Sequence, residues 1–193
     1  MLLLDHKQQF LGGGAHLIVI LLSGKAEAGK DTFFEMTAQR YAKRVIKRIA
    51  FADALKRIAF EMGWDGHKDV AGRRLLQDLG EIGRRYRTNL WVDKTIETLQ
   101  AYSRDADIVC FTDCRYPNEL ASIQNCEVID GSIKVVTVRI ERPGHAIAAN
   151  QNHISETALD GYAFDYTIIN DGTLEDYRVK VLETVAMIIL RSQ

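Results

Sequence analysis

Residues 23–33, SGKAEAGKDTF, set two glycines and a lysine in the spacing G-x-x-x-x-G-K. Gly24 and Gly29 admit backbone conformations that turn successive N–H groups toward one point, and such a concavity binds an anion. Lys30 would reach the β- and γ-phosphates of a nucleotide, and a helix starting here would aim its positive end at the same charge. The pattern ordinarily continues with Ser or Thr, whose hydroxyl helps hold Mg²⁺. Here Asp31 comes next and Thr32 follows. A carboxylate beside a polyphosphate is repelled unless a cation or the helix dipole offsets it. Asp31 and Thr32 are therefore both candidate metal residues.

Other segments carry the same kind of chemistry. In TDCRYPNE, Asp113 ends an apolar run where nucleotide enzymes place a metal-organising carboxylate, and Arg115 stands two residues on. An Asp cap in a turn is the plainer use of Asp113. Residues 73–87, RRLLQDLGEIGRRYR, resolve on a helical wheel into three stripes. Leu75, Leu79, Ile82 and Tyr86 make an apolar face expected in the core. Arg74, Asp78, Glu81 and Arg85 make a mixed-charge stripe, and Arg73, Gln77, Gly80 and Arg84 the third. Glycine inside a helix costs about 1 kcal/mol relative to alanine, so something is expected to approach Gly80 closely. A bound nucleotide, with arginine on phosphate and glutamine on a base edge, and a packed helix account for it equally.

In FADALK, Asp53 and Lys56 suit ribose or phosphate contact, with helix capping the alternative for Asp53. Trp91 can stack on a base or fill the core. RIERPGHAIAANQNHISE holds Arg139, Arg142, His145 and His153 in a polar segment that would close as a lid and deliver a transition-state arginine. Arg142, in the loop, suits that task better than Arg139, in a strand. The two histidines lack metal spacing, and Ser155, Glu156 and Thr157 mark a helix start.

These residues need a scaffold. LIVILL (17–22), DIVCFTD (107–113), KVVTVRI (134–140) and YTII (166–169) are apolar runs of the kind that form buried strands, and 45–51 is a shorter one. Helical patterns occupy 30–43, 52–62, 71–87, 90–103, a stretch opened by Pro117, and 174–190. Alternation of strand and helix predicts an α/β fold on a mainly parallel sheet, with ligands at the carboxyl ends of the strands.

With 193 residues, 47% of them hydrophobic, the chain can bury a sizeable core. A formal net charge of −1 argues against nucleic-acid or membrane-surface partners. Cys110, Cys114 and Cys126 are an odd number without metal spacing, which fits a reducing, cytoplasmic setting. Residues 1–15 are expected to be a polar arm hinged at glycines 12–14, neither signal peptide nor span.

In order, GKAEAGKDT, FADALK, LLQDLGEIGRR…W, TDCRYPNE, ERP, HISE and DYTIINDGTL resemble the bacteriophage-type deoxynucleoside monophosphate kinases, over roughly residues 17–180. The Lys-Asp-Thr ending of the loop is characteristic of that group. The resemblance implies a P-loop kinase fold over 16–193, with acceptor-side helices at 71–104 and a lid at 141–157. It implies transfer of the ATP γ-phosphoryl group to a nucleoside monophosphate with Mg²⁺, by a monomer or homodimer. Gly24, Lys25, Ala28, Gly29, Lys30, Asp31 and Thr32 would bind the ATP phosphates, and Asn170 and Asp171 would border the adenine. Asp53, Arg84 and Trp91 would line the acceptor side. Asp113 and Arg115 would lie near the reacting phosphates, and Arg142 would act from the lid. Glu27, an acid in the loop, must point away from the phosphates. Related P-loop enzymes with dephospho-coenzyme A or phosphomevalonate as acceptor, and a non-catalytic nucleotide switch, are the alternatives.

Overall fold

The computed structural model describes residues 17–126, 133–144 and 153–192. The expected arm at 1–15, His145 and the rest of 145–152 in the expected lid lie outside the described residues. Five strands form one sheet: β1 (Leu17–Ser23), β2 (Ile46–Ile49), β3 (Ile108–Cys114), β4 (Ile133–Glu141) and β5 (Tyr166–Ile169). Their order is β2-β3-β1-β4-β5, and every neighbouring pair is parallel. The helices are α1 (Lys30–Arg40), α2 (Ala52–Glu61), α3 (Val70–Tyr86), α4 (Leu90–Tyr102), α5 (Pro117–Gln124), α6 (Ile154–Thr157) and α7 (Leu174–Leu190).

All seven residues of β1 are buried, because helices cover both faces of the sheet. Side chains alternate across a strand, so one apolar run feeds two cores. Ile18, Ile20 and Leu22 pack with Phe33 and Met36 of α1 and with Tyr177, Val181, Val185 and Ile188 of α7. Leu17, Val19 and Leu21 pack on the other side with Val92 and Leu99 of α4 and with Leu120 and Ile123 of α5. The sheet order places β1 between β3 and β4, and the chain leaves it toward one side first and the other later. Such a switch point opens a crevice at the strand ends. The β1–β3 register slips between Leu21 and Ser23, right where that crevice begins.

The wheel for α3 is corrected by the packing. Ile82 and Tyr86, expected in the core, are exposed, whereas Gly72, Gly80 and Gly83 are buried. Leu76 and Leu79 supply the packed apolar side chains, against Ala54, Leu55 and Trp91. A Cβ on Gly83 would collide with the indole of Trp91. The helix thus meets its neighbours through backbone, which a wheel weighted by side-chain hydrophobicity scores as empty.

Candidate active site

The loop after β1 is shaped by three residues in the left-handed region: Gly24 (φ 151°), Glu27 (φ 61°) and Gly29 (φ 114°). Its carbonyl groups are held from outside. Asn170 Nδ2 donates to Ala28 O at 2.9 Å, and the Tyr177 hydroxyl donates to Gly29 O at 2.9 Å. Lys30 folds back across the loop, its Nζ donating to Gly24 O and Lys25 O, each at 2.7 Å. With these carbonyls tied down, the Ala26 N–H meets an anionic group, Glu156 Oε2, at 3.0 Å, the kind of contact that binds phosphate. Burial, and after it the nearby Arg115 guanidinium, push the Lys30 ammonium down to about 8.

Glu27 is exposed, with its Oε1 3.4 Å from Arg73 Nη2 at the start of α3. Asp31 is exposed in the first turn of α1, with Oδ1 3.5 Å from Arg48 Nε on β2. Its charge raises the Lys30 pKa and opposes the lowering of Lys68. Thr32 is half-buried.

At the end of β3, Asp113 accepts from the backbone N–H of Phe51 at 2.8 Å and of Ala52 at 3.0 Å. Both carboxylate oxygens therefore anchor the start of α2. Arg115 follows, and its backbone N–H donates to Glu119 at 2.7 Å. The Glu119 carboxyl is pushed up to about 8, by burial first and then by Asp113. The Arg115 side chain donates to Ser155 O at 3.1 Å and to Glu156.

On the other flank stand the cations of α2, α3 and the turn between them. Lys68 is pushed down by burial and then by Lys56, with Arg73 and Arg115 adding to it. Arg73 is also tied to Lys68 directly, its Nε donating to Lys68 O at 2.8 Å. Lys56 lies 3.5 Å from Asp53, which also accepts from Ala50 N–H at 3.1 Å and so secures the turn before α2. Arg84 stacks on Tyr116, guanidinium carbon to ring centroid 4.3 Å. The buried Tyr116 hydroxyl has no hydrogen-bond partner among the described residues. Gln77 is half-buried on the same helix.

One expectation needs correction. Trp91 is 6% exposed, and its Nε1 donates to Gly80 O at 3.1 Å. Its ring fills the α3–α4 contact and offers no open face for a base; it is also what makes a small residue necessary at Gly83. Asn170 and Asp171 were expected at the adenine. Asn170 lies beside the phosphate loop, which it braces, and Asp171 pairs with Lys180 at 2.7 Å. Arg139 is committed to structure, with Asp160 at 2.8 Å and Ser23 Oγ at 3.2 Å. Arg142 is exposed at the loop rim, its Nη1 3.3 Å from Glu27 O. A cleft of about 460 Å³ lies there, lined by Lys25, Ala28, Ile140 and Arg142 among others.

Sequence reasoning missed Lys68, Tyr177 and the placement of Glu156. Lys68 belongs to no spacing pattern and Tyr177 looks like one more apolar helix residue. Glu156 sits in a motif that also marks a helix start. Among the described residues no group of three His, Cys, Asp or Glu side chains could hold a metal ion, and no helix is long and apolar enough to cross a membrane.

Comparison with known proteins agrees with this geometry. A family model described as "Deoxynucleotide monophosphate kinase" matches residues 36–181, beginning just after the phosphate loop. The chain is 31% identical over 176 residues to "Uncharacterized protein ORF76" of Ictalurid herpesvirus 1 (strain Auburn), spanning 89% of this chain and 68% of that protein. A putative kinase from Chloroflexus aurantiacus superimposes with a TM-score of 0.55 at 13% identity, over 94% of this chain and all of that one (100%). Dephospho-CoA kinase from Campylobacter jejuni does so with a TM-score of 0.50 at 13% identity, over 88% and 96%. At such identities these structures show the fold alone: a P-loop kinase fold, with a five-stranded parallel sheet flanked by helices.

Proposed function

The chain belongs to the deoxynucleotide monophosphate kinase family, and from that premise we propose that it transfers the γ-phosphoryl group of ATP to a deoxynucleoside monophosphate. Family membership makes it a nucleotide phosphotransferase; the donor, the acceptor and the role of each residue are our reading. One observation carries it. Beside the loop that carries Lys30, Arg73 reaches Glu27 of that loop at 3.4 Å and Lys68 O at 2.8 Å, so a second set of cations, with Lys56 and Arg115 acting on Lys68, stands next to the first. Two phosphate sites side by side are what transfer between two nucleotides requires.

Transfer between phosphates needs positioning and charge neutralisation more than a covalent residue. The loop amides and Lys30 hold the donor phosphates. Lys56, Lys68 and Arg73 hold the acceptor phosphate, which is already anionic and needs no general base. One of its oxygens attacks the γ-phosphorus as the bond to the β-phosphate oxygen breaks, leaving ADP. Arg115, whose charge acts on both Lys30 and Lys68, would offset the charge that spreads over the transferring group. Arg142, at the loop rim, would join from the lid at 141–157, which would also exclude water. Asp31, together with the donor phosphates, would hold the Mg²⁺ that neutralises them. On the acceptor side, Arg84 and the unpartnered Tyr116 hydroxyl would meet the sugar or base, with Gln77 beside them. Such substrates fit a cytoplasmic enzyme.

The experiment is an ADP-release assay with ATP and each of dAMP, dGMP, dCMP, dTMP, AMP and dephospho-coenzyme A. Turnover with a deoxynucleoside monophosphate, lost in a folded Lys30→Ala variant, is the expected result. Turnover with dephospho-coenzyme A only, or with no acceptor, overturns the assignment.

A further inference from the structure

The cradle of the phosphate loop already holds a carboxylate. Glu156 of α6 accepts the backbone N–H of Ala26 through Oε2 at 3.0 Å, while Oε1 takes the Arg115 guanidinium. Its side chain is 9% exposed. Its charge also acts on Lys30 and raises that residue's pKa. One carboxylate is thus in contact with a loop amide and a site arginine and within electrostatic reach of the site lysine. These are the kinds of group that bind a donor phosphate, and a buried anion and polyphosphate in one cradle would repel strongly.

The carboxylate is held from behind. The Arg115 side chain also donates to Ser155 O at 3.1 Å. His153 Nδ1 lies 2.8 Å from Ser155 Oγ, and its Nε2 lies 3.1 Å from Glu81 Oε1 on α3. The short helix that carries Glu156 is therefore fastened to the acceptor-side helix. An incoming donor has to displace Glu156 from Ala26, and the same displacement frees Arg115.

Resting on the donor site proposed above, we infer that Glu156 is a resident anion that keeps the empty phosphate cradle formed and competes with the donor phosphates for it. It is a positioning residue: it parks Arg115 until the donor arrives. A site mostly occupied by its own carboxylate binds ligand more weakly in proportion to the fraction left open.

Calorimetric titration of ATP, with Mg²⁺ and no acceptor, into the wild type and Glu156→Gln tests this. If the carboxylate occupies the cradle about nine-tenths of the time, the variant binds ATP about tenfold more tightly. Adenosine, which lacks phosphates, binds both alike. A merely structural role for Glu156 would leave ATP affinity equal or weaker in the variant, and that result overturns the inference alone. Absence of ATP binding in both proteins removes the donor site and the inference together. Hydrogen exchange on the wild type serves if the variant does not fold. With ATP bound, residues 153–157 should exchange faster while 24–30 slow, and protection of both segments would overturn the inference.

Discussion

The hydroxyl of Tyr177 donates to the carbonyl oxygen of Gly29 at 2.9 Å, across 148 positions of sequence. The last helix thereby holds the loop that follows the first strand. A Cβ on Gly29 would come within 3.1 Å of that hydroxyl, so the glycine and the tyrosine require each other.

Tyr177→Phe leaves the ring in the core and removes only this bond. Gly29 O keeps the N–H of Phe33 at 2.9 Å, so denaturant unfolding should show only the net loss of one hydrogen bond, about 0.5–1.5 kcal/mol. Asn170 still holds Ala28 O, so the loop should loosen without collapsing. The KM for ATP should rise several-fold with the acceptor KM unchanged. Equal change in both would mean that Tyr177 supports the sheet as a whole and not the loop.

Lys30 gives the site a pH signature. Its ammonium is pushed from 10.5 down to about 8, so the free protein loses this positive charge as pH rises through 8, while bound polyphosphate favours the charged form. ATP affinity should fall about tenfold from pH 7 to pH 9 if this group dominates. Titrations at pH 7, 8 and 9 in buffers of different ionisation enthalpy should show proton uptake near 8. Lys30→Arg, which does not titrate there, should be flat. Stability runs the other way. Between 8 and 10.5 the unfolded chain binds more protons at this position, so the cost of burying Lys30 fades as pH rises through that window.

Asp31 and Thr32 divide the metal question. Asp31 shares its surroundings with Lys30 and Lys68 and already offsets Arg48. Asp31→Asn should raise the Mg²⁺ concentration for half-maximal turnover by about tenfold, the usual scale for weakening a metal site, and Thr32→Ala by much less. The reverse ranking would transfer the role to Thr32. No change in either would take both residues out of the metal site.

The strands and the loop were legible because their signals are local. A continuous apolar run means burial on both faces, and a glycine pair before Lys30 implies amides turned inward. The order of strands in the sheet was not legible, nor was α3. There the buried positions are glycines, whose packing is visible only from Trp91, eight residues beyond Gly83 in sequence and pressed against its backbone in space. Trp91 itself offered two uses, and burial against α3 settled it as core. Asn170 was placed by resemblance at the adenine, and its hydrogen bond to Ala28 O gives it another task.

By itself the sequence determined the parallel α/β scaffold, the phosphate loop with Lys30, and Arg115 at a strand end, because backbone periodicity and glycine spacing act over a few residues. Tertiary structure alone decided which charges meet. Glu27 faces Arg73, Asp31 faces Arg48, and Glu156 enters the cradle beside Arg115. The physical reason is range: a chain fixes its own turns through neighbours. The field at a site is summed over groups that only folding brings within a few ångströms.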